Sequence, residues 1–269
     1  MIRKKWFVLT VIVLLIAIVI PVQAVKYGEP DNGEHPYVGL IVFYNNENIP
    51  QWRCTGTLIA PRLVLTAAHC TELEGPARIW FNENVGEVSG YPYSGGDSYS
   101  GTAYASPWWK GGLFIPNTGD VGVVVLDEKV TDKGSLPKIA PDGYLDDLSI
   151  QRGLKDVNFK VVGYGLQAVK PKLSALRIRL KAWVQLVNLR SALADGYNIQ
   201  TTNNPGKGTG PGGTCFGDSG GPIFTSDNKI VAVNSFVMNE NCAGASFGYR
   251  VDRQEVIDWV MSKNPDYIK

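Results

Sequence analysis

The sequence predicts a mostly β protein that ends in one helix. Apolar runs of about 4 to 8 residues, rich in Val, Ile and Leu, recur along the chain between turn residues. The chain contains 30 glycines and 16 prolines, which are typical of turns. Only residues 253–263 place their apolar side chains at helical spacing. Many short strands and one late helix favour an all-β fold of the barrel or sandwich type.

Eight segments carry the strand pattern. They are 38–43, 56–59, 63–67, 121–126, 159–162, 178–187, 230–237 and 247–251. Residues 82–119 are rich in Gly, Ser, Tyr, Trp and Asn, so we expect long surface loops there, around a binding cleft. Residues 131–154 are rich in Pro, Asp and Gly and are the best place for a crossing between two halves of the chain.

The first 24 residues have the features of a secretory signal. A basic patch at 3–5 precedes an apolar run at 6–20, and small residues at 22 and 24 suit a signal peptidase. The apolar run is shorter than the ~20 residues that usually span a bilayer. We therefore expect cleavage after Ala24 and a secreted, periplasmic or extracellular protein. The alternative is a membrane tether formed by residues 6–22.

The charge balance excludes one class of partner. The chain has 26 basic and 25 acidic residues and a formal net charge of +1. A protein that binds nucleic acid through its phosphates usually carries a clear excess of basic residues. We expect no nucleic-acid partner.

Four cysteines are present, at positions 54, 70, 215 and 242. Export favours disulfides, and four cysteines allow three connectivities among which the sequence alone does not choose. A metal site is the weaker interpretation, because no C-x-x-C occurs and the chain has only two histidines. We expect no metal and no other cofactor.

The two histidines stand in different contexts. His35, in EHPYVG, is predicted to be a loop residue near the start of a strand. His69, in LVLTAAHC, follows an apolar run and precedes a cysteine. Its pattern fits either a buried structural histidine at a strand end or a functional base.

Ser219 lies in GTCFGDSGGPIF, residues 213–224, with glycines on both sides. A serine hydroxyl is a poor nucleophile unless a base takes its proton, and its attack on a carbonyl builds negative charge on oxygen. Flanking glycines let the backbone bend so that successive N–H groups face one point. The alternative is an ordinary glycine-rich turn, but so many glycines around one serine favour a catalytic loop.

Three segments together resemble the signature segments of the chymotrypsin/trypsin-like serine proteases. They are LTAAHC at 65–70, TGDVGVVVLD at 118–127 and GDSGGP at 217–222. Their order, His then Asp then Ser, is the order in that family and differs from the orders in other folds. The resemblance runs from about Val25 to the C-terminal helix.

The resemblance implies a more specific fold. It implies two antiparallel six-stranded Greek-key barrels with the active site between them, followed by the C-terminal α-helix at 253–263. We expect residues 25–140 to form the barrel that carries His69 and Asp120. We expect residues 141–269 to form the barrel that carries Ser219.

The resemblance also assigns roles. Ser219 is the expected nucleophile, His69 the general base and acid, and Asp120 the carboxylate that orients His69. The N–H groups of Gly217 and Ser219 are expected to form the oxyanion hole.

Two other aspartates compete for the role of the acid. These are Asp97 and Asp127. Asp120 is preferred because it opens an apolar strand, where a carboxylate would be held in place and partly desolvated. Asp127 closes the same strand and is expected to be a solvated turn residue.

The family's disulfides map onto all four cysteines. One disulfide of the family ties the strand before the histidine loop to the residue after the histidine, which implies Cys54–Cys70. Another ties the two walls of the specificity pocket, which implies Cys215–Cys242.

Members of the family usually free an apolar N-terminus whose α-amine pairs with the aspartate beside the nucleophile. That aspartate is Asp218 here. Cleavage after Ala24 leaves Val25-Lys26-Tyr27-Gly28, which resembles the family's mature start. We therefore expect signal peptidase itself to create the activating terminus at Val25. Lys26 departs from the apolar residue that is usual at the second place.

The specificity pocket is expected to exclude charge. In trypsin-like members an aspartate stands six residues before the nucleophile, but Gly213 stands there in this chain. Val237 replaces a glycine common in the family and should narrow the mouth of the pocket, as in elastase-like members. We expect a preference for small or medium uncharged residues before the cleaved bond. The expected substrate-binding residues are Gly213, Thr214, Phe216, Ser235, Phe236 and Val237.

The predicted function is a serine endopeptidase that hydrolyses peptide bonds by a Ser-His-Asp triad through an acyl-enzyme. Its expected partners are protein or peptide substrates and a protein inhibitor, with a membrane only if the signal segment is retained. One alternative is a non-catalytic binding module on the same fold. Another is an esterase that uses the same triad, although the flanks of Ser219 do not match G-x-S-x-G.

Overall fold

A computed structural model describes residues 25, 26, 28–149, 157–169, 173–203 and 212–266. The predicted signal segment and part of the predicted crossing at 131–154 lie outside these residues. The described chain forms strands β1 to β13 and three α-helices.

The first barrel closes six antiparallel strands. These are β2 (Val38–Tyr44), β3 (Pro50–Ala60), β4 (Leu63–Thr66), β5 (Pro76–Trp80), β6 (Ser98–Ala105) and β7 (Gly122–Leu126). Their order around the barrel is β2-β3-β4-β7-β6-β5. All of β2 is buried, and Tyr164 and Phe224 from the second half of the chain belong to the same apolar cluster. The core of this barrel therefore continues into the boundary between the barrels.

The second barrel is built from the remaining long strands. These are β8 (Asn158–Gly163), β9 (Leu180–Asn188), β10 (Asn198–Thr202), β11 (Pro222–Phe224), β12 (Ile230–Val237) and β13 (Ala245–Arg250). The sheet runs β9-β10-β13-β12-β11-β8 and closes because β8 also pairs with β9. The short strand β1 (Glu29–Pro30) pairs with the edge of β9. The expected pair of six-stranded barrels is confirmed.

The helices are short and lie outside the barrels. They are α1 (Ala68–Thr71), α2 (Tyr144–Ser149) and α3 (Gln254–Ser262), with a 3-10 helix at Val85–Glu87. The predicted C-terminal helix is thus confirmed to within one residue at each end. Its Trp259 packs on Trp108, and Lys263 lies over the ring of Tyr104, so the helix covers the first barrel. Within the described part of the chain, no helix is long and apolar enough to cross a membrane.

The expectation of loops throughout 82–119 is wrong for β6. This strand reads SYSGTAYA and lacks a sustained apolar alternation, yet its backbone pairs with β5 on one side and β7 on the other. Gly101 permits the close pairing, because a Cβ there would lie 2.4 Å from the carbonyl oxygen of Val125. The strand is stabilised by its neighbours more than by its own side chains.

A buried ionic cluster joins the two barrels. His35 is 1% exposed, and its Nδ1 lies 2.5 Å from Asp31, which also pairs with Arg179 at 2.9 Å. Arg179 donates to the carbonyl oxygens of Val38 and Phe81 in the first barrel. Burial opposes ionisation of Asp31, but hydrogen bonds from His35 and the charge of Arg179 lower its pKa to about 2. The cluster thus stabilises one relative position of the barrels.

Candidate active site

The fold brings His69 and Asp120 to one end of the first barrel. His69 lies in α1, directly after β4, and Asp120 directly precedes β7, which pairs with β4. Oδ2 of Asp120 lies 2.8 Å from Nδ1 of His69, and Oδ1 accepts the backbone N–H of His69 at 2.9 Å. One carboxylate therefore holds both the ring and the backbone of the histidine.

The charge of Asp120 is preserved despite complete burial. Burial alone would raise its pKa, but the charge and hydrogen bonds of His69 and the hydroxyl of Ser235 lower it. For His69, burial lowers the pKa, yet the attraction of Asp120 outweighs it and the net shift is upward. The pair favours an imidazole that can accept a proton and carry the resulting charge.

The two competing aspartates lie elsewhere. Asp97 is partly exposed and pairs with Lys133 at 2.5 Å. Asp127 is exposed beyond the end of β7, at the edge of a different cavity. Of the three aspartates considered from the sequence, Asp120 is the one bonded to His69.

The serine loop docks closely onto the first barrel. Gly220 has φ +75°, and a Cβ there would lie 2.0 Å from Oγ1 of Thr66 and 2.7 Å from the backbone nitrogen of Ala67. The carbonyl oxygen of Ser219 also accepts the N–H of Thr55 at 2.8 Å. Only glycine allows this approach at position 220. As a result Ser219 and His69 line the same cavity.

Backbone donors are available next to Ser219. Gly217 has φ +97°, and a Cβ there would lie 3.0 Å from Cα of Gly165. Its carbonyl oxygen accepts the hydroxyl of Thr55 at 2.8 Å, which fixes the peptide. Among the described residues, the N–H groups of Gly217 and Ser219 donate to no protein acceptor. They can therefore serve an oxygen that enters the cavity.

Asp218 points away from the cavity into the second barrel. It is 1% exposed and accepts the N–H groups of Gly165 and Cys215 at 2.8 and 2.9 Å. Glycine is needed at 163 and 165, because a Cβ at either position would lie within 2.4 Å of the carboxylate. Burial raises the pKa of Asp218 to about 7. In the described part of the chain it forms no salt bridge.

The segment after the predicted cleavage site lies beside this carboxylate's loop. Val25 is fully buried in the core of the second barrel. Lys26 forms a β-bridge with Gly213, and its Nζ donates to the carbonyl oxygens of Asn241 and Cys242 at 2.6 and 3.1 Å. Thus one lysine contacts both the segment around Gly213 and the loop between β12 and β13, residues 238–244, here called the wall loop. These contacts account for a polar residue at this place.

The shared cavity has a volume of about 500 Å³. Of the residues predicted to bind substrate, Thr214, Phe216, Ser235, Phe236 and Val237 line it, whereas Gly213 is buried behind Thr214. Five further lining residues were not predicted: Leu113, Asn234, Met238, Asn239 and Glu240. Leu113 comes from a distant loop, and its one sequence signal is the apolar run 113–115 within a glycine-rich stretch.

The walls of the cavity are apolar and covalently connected. Phe236 stacks on Phe247 with ring centroids 4.6 Å apart, and Val237 lies opposite Ser246 in the β12–β13 ladder. Phe216 and Met238 are about half exposed at the rim. The Cys215–Cys242 disulfide joins the segment that precedes Ser219 to the wall loop, as the resemblance implies.

The other disulfide stands next to the histidine. It joins Cys54 to Cys70, again as the resemblance implies. The sulfur atoms of these cysteines lie within 4.8 Å of a nitrogen of His69. Zinc and related metals bind thiolates, and both sulfurs are already bonded to each other, so this cluster does not offer a metal site.

Comparison with known proteins gives a consistent result. A family model described as Trypsin matches residues 25–260. A trypsin of Saccharopolyspora erythraea is 28% identical over 215 residues, covering 78% of this chain and 84% of that protein. Serine protease 1 of Drosophila melanogaster is 26% identical over 242 residues, covering 85% of this chain and 80% of that protein.

Solved structures show the same fold at lower identity. HL collagenase superposes with a TM-score of 0.65 at 19% identity, covering 88% of this chain and 97% of that one. Human heparin binding protein superposes with a TM-score of 0.63 at 19% identity, covering 91% of this chain and all of that one. Neighbours at this identity speak for the fold alone, so the chemistry has to be argued from the residues of the cavity.

Proposed function

Because this chain belongs to the trypsin family of serine proteases, we propose that it is a serine endopeptidase that works through an acyl-enzyme on Ser219. One observation carries the proposal. The imidazole of His69 is hydrogen-bonded to the buried carboxylate of Asp120, and the same cavity contains Ser219, next to backbone N–H groups that have no acceptor among the described residues.

The proposed chemistry begins with neutral His69. An ionised Asp120 can only accept, so it fixes the proton of His69 on Nδ1 and leaves Nε2 free to take the proton of Ser219. The serine oxygen then bonds to the carbonyl carbon, and the N–H groups of Gly217 and Ser219 stabilise the oxyanion. His69 passes the proton to the nitrogen of the scissile bond, the carbon–nitrogen bond breaks and the amine leaves. Water then attacks the acyl carbon while His69 takes one of its protons. His69 returns this proton to the oxygen of Ser219 as the ester bond breaks, which releases the acid.

The proposed preference is for small or medium uncharged residues before the cleaved bond. Gly213 brings no carboxylate to the floor, and Val237 occupies the wall of the cavity. Glu240 is the one carboxylate among the described lining residues, but it is exposed at the rim. An exposed ion pair adds only ~0–1 kcal/mol, so Glu240 gives little selectivity for Lys or Arg.

The proposed activation step is removal of residues 1–24 by signal peptidase during export. Proteases of this family are typically secreted. The new α-amine of Val25 would supply the cation that buried Asp218 lacks among the described residues. An unpaired buried charge is costly, whereas pairing it stabilises the loop that carries Gly217 and Ser219. Retention of residues 6–22 as a tether would leave this amine blocked.

Labelling with a fluorophosphonate probe tests the proposal. The secreted enzyme should react with the probe and should hydrolyse peptide substrates. Ser219→Ala should abolish both the labelling and the hydrolysis. Ser226→Ala, at an exposed turn, is the matched control and should change neither. Labelling that survives Ser219→Ala would contradict the assignment of the nucleophile. An unlabelled protein would indicate a binding module, and hydrolysis of esters without peptides would indicate an esterase.

A further inference from the structure

A buried side chain that the motifs do not include is hydrogen-bonded to Thr214, which lines the cavity. Asn203 follows β10 and is 1% exposed. A Cβ placed on Gly213 would lie 1.8 Å from Oδ1 of Asn203, 2.8 Å from its Cγ and 3.0 Å from its Cα. The amide of Asn203 therefore occupies the space that a side chain at position 213 would fill.

Two hydrogen bonds hold Asn203 in place. Its Nδ2 donates to the carbonyl oxygen of Thr214 at 2.9 Å, and Thr214 lines the cavity. Its backbone N–H donates to the carbonyl oxygen of Gly244, the last residue of the wall loop, at 3.1 Å. These contacts fix the depth at which the amide lies. Within the described residues, Oδ1 has no hydrogen-bond partner.

The surrounding layer is polar but neutral. Thr201, on β10 and two residues before Asn203, forms a hydrogen bond between hydroxyl groups with Ser246 at 2.8 Å. Ser246 lies opposite Val237 in the ladder that forms the wall. A charged side chain that reached this layer would lose its water and meet no opposite charge, which is costly. A long apolar side chain would meet a filled space.

We propose that Asn203 is the residue that sets the depth and neutrality of the specificity pocket, in place of the side chain absent from Gly213. This inference rests on the proposed peptidase function and explains its preference. Small and medium uncharged side chains end above the amide. Larger ones are excluded by its volume, and basic ones by the lack of a carboxylate.

The test compares two peptide substrates that differ only in the residue before the cleaved bond, Ala or Phe. Asn203→Ala should raise the Phe-to-Ala ratio of kcat/KM about tenfold, since a change in pocket volume is worth about that much in selectivity. The ratio does not depend on the amount of folded enzyme. Thr202→Ala is the control, because its hydroxyl accepts the N–H of Gln185 in β9 and not a pocket residue.

An unchanged ratio in Asn203→Ala, or an equal rise in Thr202→Ala, would overturn the proposal. If Asn203→Ala yields no labelled enzyme, Asn203→Ser is measured in the same way.

A second experiment uses Gly213→Ala, which should lower the fraction of enzyme that fluorophosphonate labels. Asn203→Gly in the same chain should restore that fraction. Full labelling of the Gly213→Ala enzyme would contradict the claim that a side chain at position 213 and the amide of Asn203 compete for the same space. If the unsubstituted enzyme is neither labelled nor hydrolytic, the proposed function itself fails.

Discussion

The two halves of the candidate site differ in how fully hydrogen bonds and charges compensate their buried carboxylates. In the first barrel, Asp120 receives two hydrogen bonds from His69 and one from Ser235. In the second barrel, Asp218 is equally buried, but within the described residues it has only two backbone donors, and burial raises its pKa to about 7. Among those residues, the charge of Asp120 is compensated and that of Asp218 is not.

This difference separates chemistry from control. The base is held by groups that are present before any processing. Under the proposed function, the nucleophile loop and the pocket depend on the segment that begins at Val25, through the proposed pairing with Asp218 and through the contacts of Lys26. The proposal thus assigns activation and selectivity to the second barrel, and proton transfer to the first.

The largest effect should come from breaking the first half. Asp120→Asn should lower kcat on a peptide substrate about 10⁴-fold, which is the known cost of this replacement in the family's triad. The amide of the substituted side chain can donate to Nδ1 of His69, which leaves the ring proton on Nε2, and it has no charge to stabilise the imidazolium. Asp127→Asn, at an exposed position on the same segment, should keep full activity. A variant with Asn at 120 that retained most of its kcat would contradict the assigned acid.

For the second half of the site, the proposal predicts that the stability of the uncleaved chain depends on pH, because Asp218 has no paired cation among the described residues. The carboxyl of Asp218 has a pKa of about 7 in the folded uncleaved chain, against an ordinary value of 3.8. Between these pH values the folded state binds more protons, so its free energy of unfolding falls as pH rises. The total fall is about 4 kcal/mol, because each pKa unit is worth about 1.4 kcal/mol.

Melting temperatures between pH 4 and 8 measure this effect, in chains that carry Ser219→Ala to prevent self-digestion. The uncleaved chain should lose stability over this range. A chain that begins at Val25, and the uncleaved Asp218→Asn chain, should lose much less. If melting temperature changes with pH in the same way in all three chains, the proposed pairing of Asp218 with the α-amine of Val25 would be contradicted.

A smaller effect is expected at the hydroxyl that joins the two halves. Ser235 lies on β12 and donates to Asp120 across the barrel boundary. A hydrogen bond to a charged group is worth ~1.5–3 kcal/mol, so Ser235→Ala should lower kcat by about tenfold or somewhat more. The loss should stay well below that of Asp120→Asn in the same assay. A loss as large as that one would make Ser235 part of the proton-transfer machinery.

The smallest effect should come from Lys26. Lys26→Met removes the donors to Asn241 and Cys242 and loosens the wall loop, while the backbone bridge to Gly213 can remain. KM should rise several-fold with little change in kcat, as expected for ~0.5–1.5 kcal/mol of lost hydrogen bonding. Lys229→Met, at an exposed turn, should change neither constant. A fall in kcat with constant KM would contradict a role confined to the pocket.

Local sequence pattern predicts one part of this molecule and misses another. The strands with sustained apolar runs, such as β2 and β12, and the amphipathic α3 follow from local pattern. β6 does not, because its pairing with two neighbours compensates for its polar composition. Strands of this kind depend on tertiary partners that a local pattern cannot contain.

The candidate site divides in the same way. Three motifs and their order in the chain are enough to single out His69, Asp120 and Ser219. Leu113, which lines the cavity, and Asn203, which bonds to the lining residue Thr214, are not predictable from the sequence, because each lies in a segment without a motif. Which side chain fills the space beside Gly213 is decided by the folding of β10, not by neighbours in the chain.

The most direct test of the central claim is the intact mass of the fluorophosphonate-labelled enzyme, purified after export. We expect the labelled species to begin at Val25, since only that start provides the amine for Asp218. Digestion should place the label on Ser219. A fully active, labelled enzyme that begins at any other residue would contradict the claim that the released terminus completes the second half of the site.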